Sequence, residues 1–174
     1  MNDNILSFEL QGSEALKSVF RNHASGITVV TSVTDKGEPI GFTASSVTSL
    51  GSNPPLVSLN IAQGSSSYQH LCPGAFVAIH TLDSGTLWLA EKMAADKEQR
   101  FSDVEFVQGP ESVPIFTEVP SVLIAKVRSR TEVEANAVIV LDAISSENFR
   151  SATEPLVYFQ RGYHTLGQRL KDNS

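Results

Sequence analysis

The residues best suited to do chemistry lie in one stretch, 41–67, which is rich in serine and carries no charged side chain. Near its end, the run Ser65-Ser66-Ser67 opens a segment that predicts a short helix over 65–71. The start of a helix leaves backbone N–H groups unpaired at the positive end of the helix dipole, an arrangement that binds phosphate. The stretch therefore predicts a neutral pocket with a phosphate cradle at its serines. A serine-rich surface loop with an ordinary helix cap is the alternative interpretation.

Two strands position the remainder of this stretch. Residues 40–47 alternate, so that apolar side chains share one face while Gly41, Thr43 and Ser45 share the other. The sequence Asn-Pro-Pro at 53–55 then ends regular structure, because proline fixes φ and lacks an N–H group. A second strand over 56–61 has an apolar face and a polar face that carries Asn60. Hydroxyl and amide groups from both strands are thus expected around the pocket.

The composition is typical of a folded protein, and a single domain over 1–174 is expected. Of the 174 residues, 41% are hydrophobic and 18% are charged, and the formal net charge is −6. The basic residues are scattered rather than gathered in a stripe, which argues against a nucleic-acid binder. Because neither a twenty-residue apolar run nor a signal peptide is evident, a cytoplasmic location without membrane contact is expected.

No side chain stands out as a catalytic nucleophile or base. The sequence lacks the dinucleotide-binding GxGxxG pattern, the P-loop, GxSxG and HExxH. The histidines lack the spacing of metal ligands, so no metal site is expected, and His80 is interpreted as a hydrogen-bonded histidine on a strand. Cys72 has no other cysteine to pair with and is interpreted as structural. An enzyme built from this chain would therefore need a cofactor that brings its own reactivity.

Hydrophobic periodicity predicts the elements that hold this stretch in place. Helices are predicted over 13–23 and 84–95, the first with an apolar face formed by Leu16, Val19, Phe20 and His23. Strands are predicted over 27–34, 40–47, 56–61, 75–82, 121–130, 137–144 and 156–159, and the turn at 35–37 predicts a hairpin. Residues 96–120 have no clear pattern, and Arg100-Phe101 is their expected anchor. Hairpin-length connections favour a mainly β fold, an antiparallel barrel of six or seven strands with two or three flanking helices.

Six short motifs follow one another along residues 16–166. They are Phe20 with ASGITVVT at 24–31, GFTASS at 41–46 with Ser49-Leu50, NPPLV at 53–57, the serines at 65–67, Arg100-Phe101, and RGYHTL at 161–166. Together they resemble the short-chain flavin reductase family, the reductase partners of two-component flavin monooxygenases.

The resemblance implies a split β-barrel, antiparallel and Greek-key-like, that forms a homodimer and binds FMN or FAD near the subunit interface. It implies an NAD(P)H:flavin oxidoreductase that reduces flavin by hydride transfer from NADH or NADPH and supplies a monooxygenase partner. The residues that it places along the flavin are Pro39, Ile40, Gly41, Phe42, Thr43, Ser45, Ser46, Asn60, Ile61 and Ala62. It places Ser66 and Ser67 at the flavin phosphate, Lys92 where many members have an arginine, and Tyr163 on the nicotinamide side.

The sequence departs from the family pattern near the expected nicotinamide and phosphate sites. Many members carry Gly-Asp-His near the nicotinamide, whereas this chain has Ala135-Asn136-Ala137 and lacks the histidine. The phosphate helix often offers an arginine or lysine, and here it offers only serines. A non-catalytic flavin-binding or carrier protein without a nicotinamide site is therefore the alternative function.

Overall fold

Strands make up most of the regular structure in the computed structural model, which describes residues 9–167 and 170 of the chain. The α-helices are α1 (Gly12–Arg21) and α2 (Leu87–Ala94), and short 3₁₀ helices cover Tyr68–His70, Ser84–Thr86 and Pro110–Ser112. The strands are β1 (Ser25–Gly26), β2 (Thr28–Val33), β3 (Pro39–Ala44), β4 (Thr48–Ser52), β5 (Pro55–Ala62), β6 (Phe76–Thr81), β7 (Val107–Gln108), β8 (Pro114–Ile115), β9 (Ser121–Val133), β10 (Asn136–Asn148), β11 (Leu156–Phe159) and β12 (Gly162–Thr165).

Residues 1–8, on which the expectation of no signal peptide rests, lie outside the described part. In that described part, no helix is both long enough and apolar enough to span a membrane.

Seven strands form one antiparallel sheet in the order β3-β2-β6-β9-β10-β5-β4. Its edge strands, β3 and β4, follow each other in the chain through residues 45–47, so the sheet curls back on itself. A three-stranded sheet, β1-β11-β12, and the short pair β7-β8 lie beside it. The predicted antiparallel barrel with flanking helices is confirmed. The predicted hairpin is also confirmed, since β2 pairs with β3 and Thr31 lies opposite Gly41.

Two layers of buried side chains fix the strands. The interior of the curled sheet is filled by aliphatic residues such as Leu59, Ile139 and Leu141, which have no exposed surface. A second layer lies between the sheet and α2, where Leu89 and Met93 are equally buried. Burying a side chain of this size contributes about 1.5–3 kcal/mol. The position of α2 over the sheet is therefore strongly determined.

The segment without a clear sequence pattern is anchored by aromatic residues. Phe101, Phe106 and Phe116 pack with ring centroids 5.8–6.3 Å apart. The Phe116 N–H donates to Nε2 of His80 at 3.2 Å, and Nδ1 of His80 lies 3.0 Å from the carbonyl oxygen of Val29, to which it donates. His80 is thus a hydrogen-bonded strand histidine, as predicted. Burial of its ring lowers the pKa of His80 to about 4.

Helix α1 forms close to the predicted range 13–23 but ends at Arg21, before His23, and in the described part of the chain its apolar face is uncovered. Leu16, Val19 and Phe20 are 59%, 66% and 61% exposed. The polar face of α1 instead borders the turn between β11 and β12, where the Gln160 N–H donates to the carbonyl oxygen of Arg21 at 3.2 Å. The amphipathic pattern therefore predicted the helix correctly, although the described part of the chain provides no partner for the apolar face.

Candidate functional site

A cavity of about 630 Å³ opens where three segments distant in the sequence meet. One wall is the first half of β3 with the turn before it, the second is the loop 63–70, and the third is the segment 97–101 after α2. The size lies within the range of about 300–1,000 Å³ that is usual for small-molecule sites. Five of the residues predicted from the sequence line it, namely Pro39, Ile40, Gly41, Ser66 and Ser67.

The serines at 65–67 lie in a hydrogen-bonded loop and do not begin a helix. The predicted helix over 65–71 is wrong, because only Tyr68–His70 forms a single 3₁₀ turn, too short for an appreciable dipole. The Ser65 N–H donates to the carbonyl oxygen of Ala62 at 3.0 Å, and the Ser67 N–H donates to Oγ of Ser65 at 3.4 Å. Of the three serine N–H groups, only that of Ser66 remains for a ligand.

The hydroxyl of Ser67 is the most informative polar group in this loop. Ser67 is 1% exposed, and its Oγ is buried without a hydrogen-bond partner among the described residues. Leaving a buried hydroxyl unpaired costs about 1–3 kcal/mol, so such groups are rare unless a ligand, ion or water completes them. Because Ser67 lines the cavity, a polar ligand there would satisfy it.

The positive charge next to the serines of the cavity comes from Arg100. Its Nε donates to the carbonyl oxygen of Ala95 at 2.8 Å, and its Nη1 donates to the carbonyl oxygen of Gly41, also at 2.8 Å. The same Nη1 lies 3.5 Å from Oγ of Ser66. The sequence indicated Arg100 only as an anchor of residues 96–120, whereas the structure places its guanidinium beside the serines. A fixed guanidinium next to free hydroxyls is well suited to hold a phosphate oxygen.

The face of β3 that carries Gly41 and Thr43 is divided between the cavity and α2. Gly41 lines the cavity, whereas Thr43 Oγ1 donates to the carbonyl oxygen of Ala90 at 2.5 Å. A Cβ atom built on Gly41 would lie 3.0 Å from Sδ of Met93 and 3.1 Å from Cζ of Phe101. A larger residue at position 41 would therefore press on the side chains of Met93 and Phe101, and these would have to shift.

The remaining predicted flavin residues lie beyond the cavity, around the join between β3 and β4. Ser46 Oγ donates to the carbonyl oxygen of Asn60 at 2.9 Å and accepts its N–H at 3.1 Å, so these two predicted residues do meet. Phe42 packs on the barrel core, and Ile61 is buried within it. Ser45 and Ala62 are exposed.

Lys92 and Tyr163 also lie outside the cavity. Lys92 Nζ donates to Oγ of Ser102 at 3.2 Å. Tyr163 packs edge-on against Tyr158, with ring centroids 5.5 Å apart. Burial, followed by the neighbouring Tyr158 and Glu91, raises the pKa of Tyr163, which therefore stays protonated at neutral pH.

The hairpin between β9 and β10 reaches the edge of the cavity through Gln63. Gln63 Nε2 donates to the carbonyl oxygens of Glu134 and Asn136, at 2.7 and 3.1 Å. Ala137, the position aligned with the family histidine, has no exposed surface and belongs to the barrel core. Asn136 next to it is exposed. A side chain that is to act outside the barrel from this hairpin therefore cannot come from position 137, whereas position 136 is available.

The described part of the chain holds no candidate metal site and one exposed thiol. Within residues 9–167 and 170, no three His, Cys, Asp or Glu side chains are close enough to share a metal ion. Cys72 is exposed; its Sγ donates to the carbonyl oxygen of Gln69 at 3.2 Å and lies 3.7 Å from Nη1 of Arg130. The groups in the cavity that suit a phosphate-bearing ligand are therefore its serines and Arg100.

Comparison with known proteins gives a consistent picture. The flavin reductase like domain matches residues 20–167. A NADH:FMN oxidoreductase of Rhodococcus qingshengii is 34% identical over 87% of this chain and 82% of its own length. A probable flavin reductase of Rhizobium meliloti is 31% identical over 92% of this chain, which spans only 51% of that relative. The reductase component of a flavin-dependent trigonelline monooxygenase of Acinetobacter baylyi is 27% identical over 90% of this chain and 50% of its own length.

A solved structure shares the whole architecture. The crystal structure of a flavin reductase domain protein from an Arthrobacter species superposes with a TM-score of 0.85 at 32% identity. The alignment covers 93% of this chain and 100% of the other.

Proposed function

Because the chain belongs to the flavin reductase like domain family, we propose that it is an NAD(P)H:flavin oxidoreductase that reduces FMN or FAD. The proposal rests on one observation in the structure: the buried Oγ of Ser67 has no hydrogen-bond partner among the described residues, and Ser67 lines a cavity together with Ser66 and Arg100. Their hydroxyl and guanidinium groups fit the phosphate next to the ribityl chain, which FMN and FAD share.

Two groups of residues would hold a bound flavin, one at its phosphate and one along its ring. Ser66, Ser67 and Arg100 would bind the phosphate, and the uncharged surface around the join of β3 and β4 would lie along the ring. When bound, the flavin supplies the redox chemistry, since it accepts the electrons that a nicotinamide donates. The chain positions the two reactants and excludes water from the reacting face. No catalytic side chain is required for this role.

The alternative, a flavin carrier without a nicotinamide site, is favoured by one feature. Ala137 stands where many family members have a histidine, and its side chain points into the core. This chain therefore lacks an imidazole at that place. Since hydride transfer between stacked rings depends mainly on alignment, we expect the activity to persist with weak binding of the nicotinamide.

The proposal includes a homodimer. The apolar face of α1 exposes Leu16, Val19 and Phe20, and Leu50 on the edge strand β4 is 57% exposed. Exposed apolar side chains that share one helix face often mark an interface, and a second copy of the chain would cover those of α1. Analytical ultracentrifugation should give twice the monomer mass, and Phe20→Ser should weaken the dimer. A monomer at tens of micromolar, with or without FMN, would contradict this part.

A monooxygenase that consumes the reduced flavin is the proposed partner, and the cytoplasm, where NADH and NADPH are available, is the proposed location. The support for the partner is the similarity to a monooxygenase reductase component.

The decisive experiment mixes the purified protein with NADH or NADPH and with FMN, FAD or no flavin, and follows the nicotinamide absorbance. We expect oxidation that depends on added flavin. Binding of flavin without any oxidation would favour the carrier, and absence of both would reject the flavin site itself.

A further inference from the structure

Gln63 joins the loop 63–70, which carries the serines of the cavity, to the turn between β9 and β10. Its backbone N–H donates to the carbonyl oxygen of Ala135 at 2.9 Å. Its Nε2 donates to the carbonyl oxygens of Glu134 and Asn136, at 2.7 and 3.1 Å. Because both of these acceptors are carbonyl oxygens, only the NH₂ group of the side-chain amide suits this place. One glutamine thus binds three consecutive carbonyl groups of the turn.

The turn is held in a conformation that its own sequence does not favour. Glu134, the first residue of the two-residue connection between β9 and β10, has φ of +49°. This is the left-handed region, which glycine adopts freely and a residue with a Cβ atom adopts at a cost in free energy. Such a conformation persists only where neighbouring groups stabilise it. The Gln63 amide binds the carbonyl groups on either side of Ala135 and so keeps the Ala135 carbonyl directed at the Gln63 N–H.

The far end of the loop is tied to the same hairpin. Arg130 on β9 donates from Nη1 to the carbonyl oxygen of Tyr68 at 3.0 Å, and its guanidinium lies 4.3 Å from the centroid of the Tyr68 ring. The Tyr68 hydroxyl donates to Oε1 of Glu132 at 2.5 Å. Ser66 and Ser67 lie between these two anchors in the chain. The hairpin β9–β10 therefore supports the serine loop from both ends.

We propose that Gln63 is a positioning residue of the phosphate site, whose side-chain amide fixes the turn and thereby holds the loop with Ser66 and Ser67 directed at the phosphate. This inference rests on the proposed function, because the phosphate is that of the bound flavin. Both amide hydrogens of Gln63 are donated to the turn, so the residue acts through the loop and not by contact with the ligand. A loop that is already held does not have to be ordered when the ligand binds, and this strengthens binding.

Titration of FMN and riboflavin with the full chain, followed by flavin fluorescence, tests the inference in Gln63→Met. This variant keeps the length of the side chain and removes both donors. We expect the Kd of FMN to rise about three- to tenfold, and that of riboflavin, which lacks the phosphate, to change by less than about twofold. Gln160→Met is the matched control, because Gln160 also donates from Nε2, to Oδ1 of Asn22, but lies outside the cavity. It should change neither Kd.

A second substitution separates positioning from direct contact with the ligand. In Gln63→Met/Glu134→Gly, glycine adopts the left-handed conformation without help from the amide, so the Ala135 carbonyl still accepts the backbone N–H of position 63. The Kd of FMN should return to within about twofold of the parent value. Amide hydrogen exchange provides a readout without flavin, since the N–H of position 63 should exchange faster in Gln63→Met and near the parent rate in the double variant.

The outcomes distinguish this inference from the function on which it rests. An unchanged Kd of FMN in Gln63→Met, a parallel loss of riboflavin, or a loss that Glu134→Gly does not restore would overturn the positioning role and leave the flavin site intact. If the parent protein binds neither FMN nor FAD, the proposed function fails and the inference fails with it.

Discussion

Arg100 donates a hydrogen bond of 2.8 Å from Nη1 to the carbonyl oxygen of Gly41. This contact ties the segment after α2 to the edge strand β3 and places a guanidinium 3.5 Å from Oγ of Ser66. One arginine thus both joins two walls of the cavity and places a positive charge beside its serines. Charged residues are absent from 41–67, so the charge needed for a phosphate comes from another part of the chain.

Substitution of Ser66 tests the phosphate cradle. Ser66→Asp would place a carboxylate beside the phosphate and compete for Arg100, so FMN binding should weaken more than tenfold, above about 1.4 kcal/mol. Riboflavin, which lacks the phosphate, should be much less affected. Fluorescence titration of both ligands measures this, with Ser66→Ala as the control for loss of the hydroxyl. Equal losses for FMN and riboflavin would show that the phosphate does not bind here.

Substitution of Gly41 tests the packing between β3 and α2. In Gly41→Ala the new methyl group would meet Met93 at 3.0 Å and Phe101 at 3.1 Å, closer than ordinary contacts. We expect a loss of about 1–3 kcal/mol in the free energy of unfolding, measured by urea denaturation. Gly26→Ala is the matched control, because a Cβ atom at Gly26 would meet nothing within 4 Å. Similar stability of both variants would contradict the tight approach.

A buried ion pair holds the start of α2 to the segment before β11. Asp83 has no exposed surface, and Arg150 donates to its two carboxylate oxygens at 2.5 and 2.9 Å. The Arg150 guanidinium, despite the opposing effect of burial, lowers the pKa of Asp83 well below its usual value. Asp83→Asn should cost about 1.5–3 kcal/mol, because the buried Asp83 loses charge-assisted hydrogen bonds while the Arg150 side chain, 35% exposed, stays partly solvated.

The exposed pair Arg128–Asp142, with Nη2 and Oδ1 2.6 Å apart, provides the control for this prediction. Asp142→Asn should cost no more than about 1 kcal/mol, because the pair is screened by solvent. The free energies of unfolding of both variants are compared by urea denaturation. A cost of Asp83→Asn as small as that of Asp142→Asn would refute the structural role of the buried pair.

The lowered pKa of His80 predicts how the free energy of unfolding depends on pH. Its pKa is about 4 in the folded chain and near the model-peptide value of 6.5 when unfolded, so the unfolded state binds the proton first as pH falls. Its contribution is therefore complete above pH 6.5 and is lost between about pH 6.5 and 4, by up to roughly 3 kcal/mol. The loss assigned to Asp83 follows at lower pH, below its unfolded pKa near 4.

Urea denaturation at several pH values measures this dependence. In His80→Gln the slope between pH 6.5 and 4 should largely disappear. His23→Gln, which changes an exposed histidine, should leave the slope unchanged. An unchanged slope in His80→Gln would assign the pH dependence to other groups.

The missing family histidine can be tested at an exposed position. Introducing it at Ala137 would force an imidazole into the barrel core, whereas Asn136→His places it on the exposed side of the hairpin. We expect the parent protein to oxidise NADH with a high KM, and Asn136→His to lower KM while flavin affinity changes by less than about twofold. Steady-state kinetics measures this, with Asn136→Ala as the control. Inactivity of both the parent and Asn136→His would favour the carrier.

The sequence alone determined most of the long elements and the class of fold. Alternation of apolar residues predicted the long strands and their hairpins, because each strand must bury one face on a shared core. It also predicted a hydroxyl-rich site and the buried strand histidine His80. The motifs in order indicated the family, which the match over residues 20–167 confirmed.

Only the tertiary structure decided which residues meet. Gly41, Ser66 and Arg100 are separated by 25 or more positions, and their contact depends on sheet order and on the path of residues 96–120, which no local periodicity encodes. The serine run predicted a helix, yet the Ser67 N–H donates to Oγ of Ser65, because a hydroxyl acceptor competes with helical carbonyls. The periodicity predicted the apolar face of α1 but not its exposure. A periodic pattern indicates that a helix face needs an apolar partner, and it does not indicate which chain provides that partner.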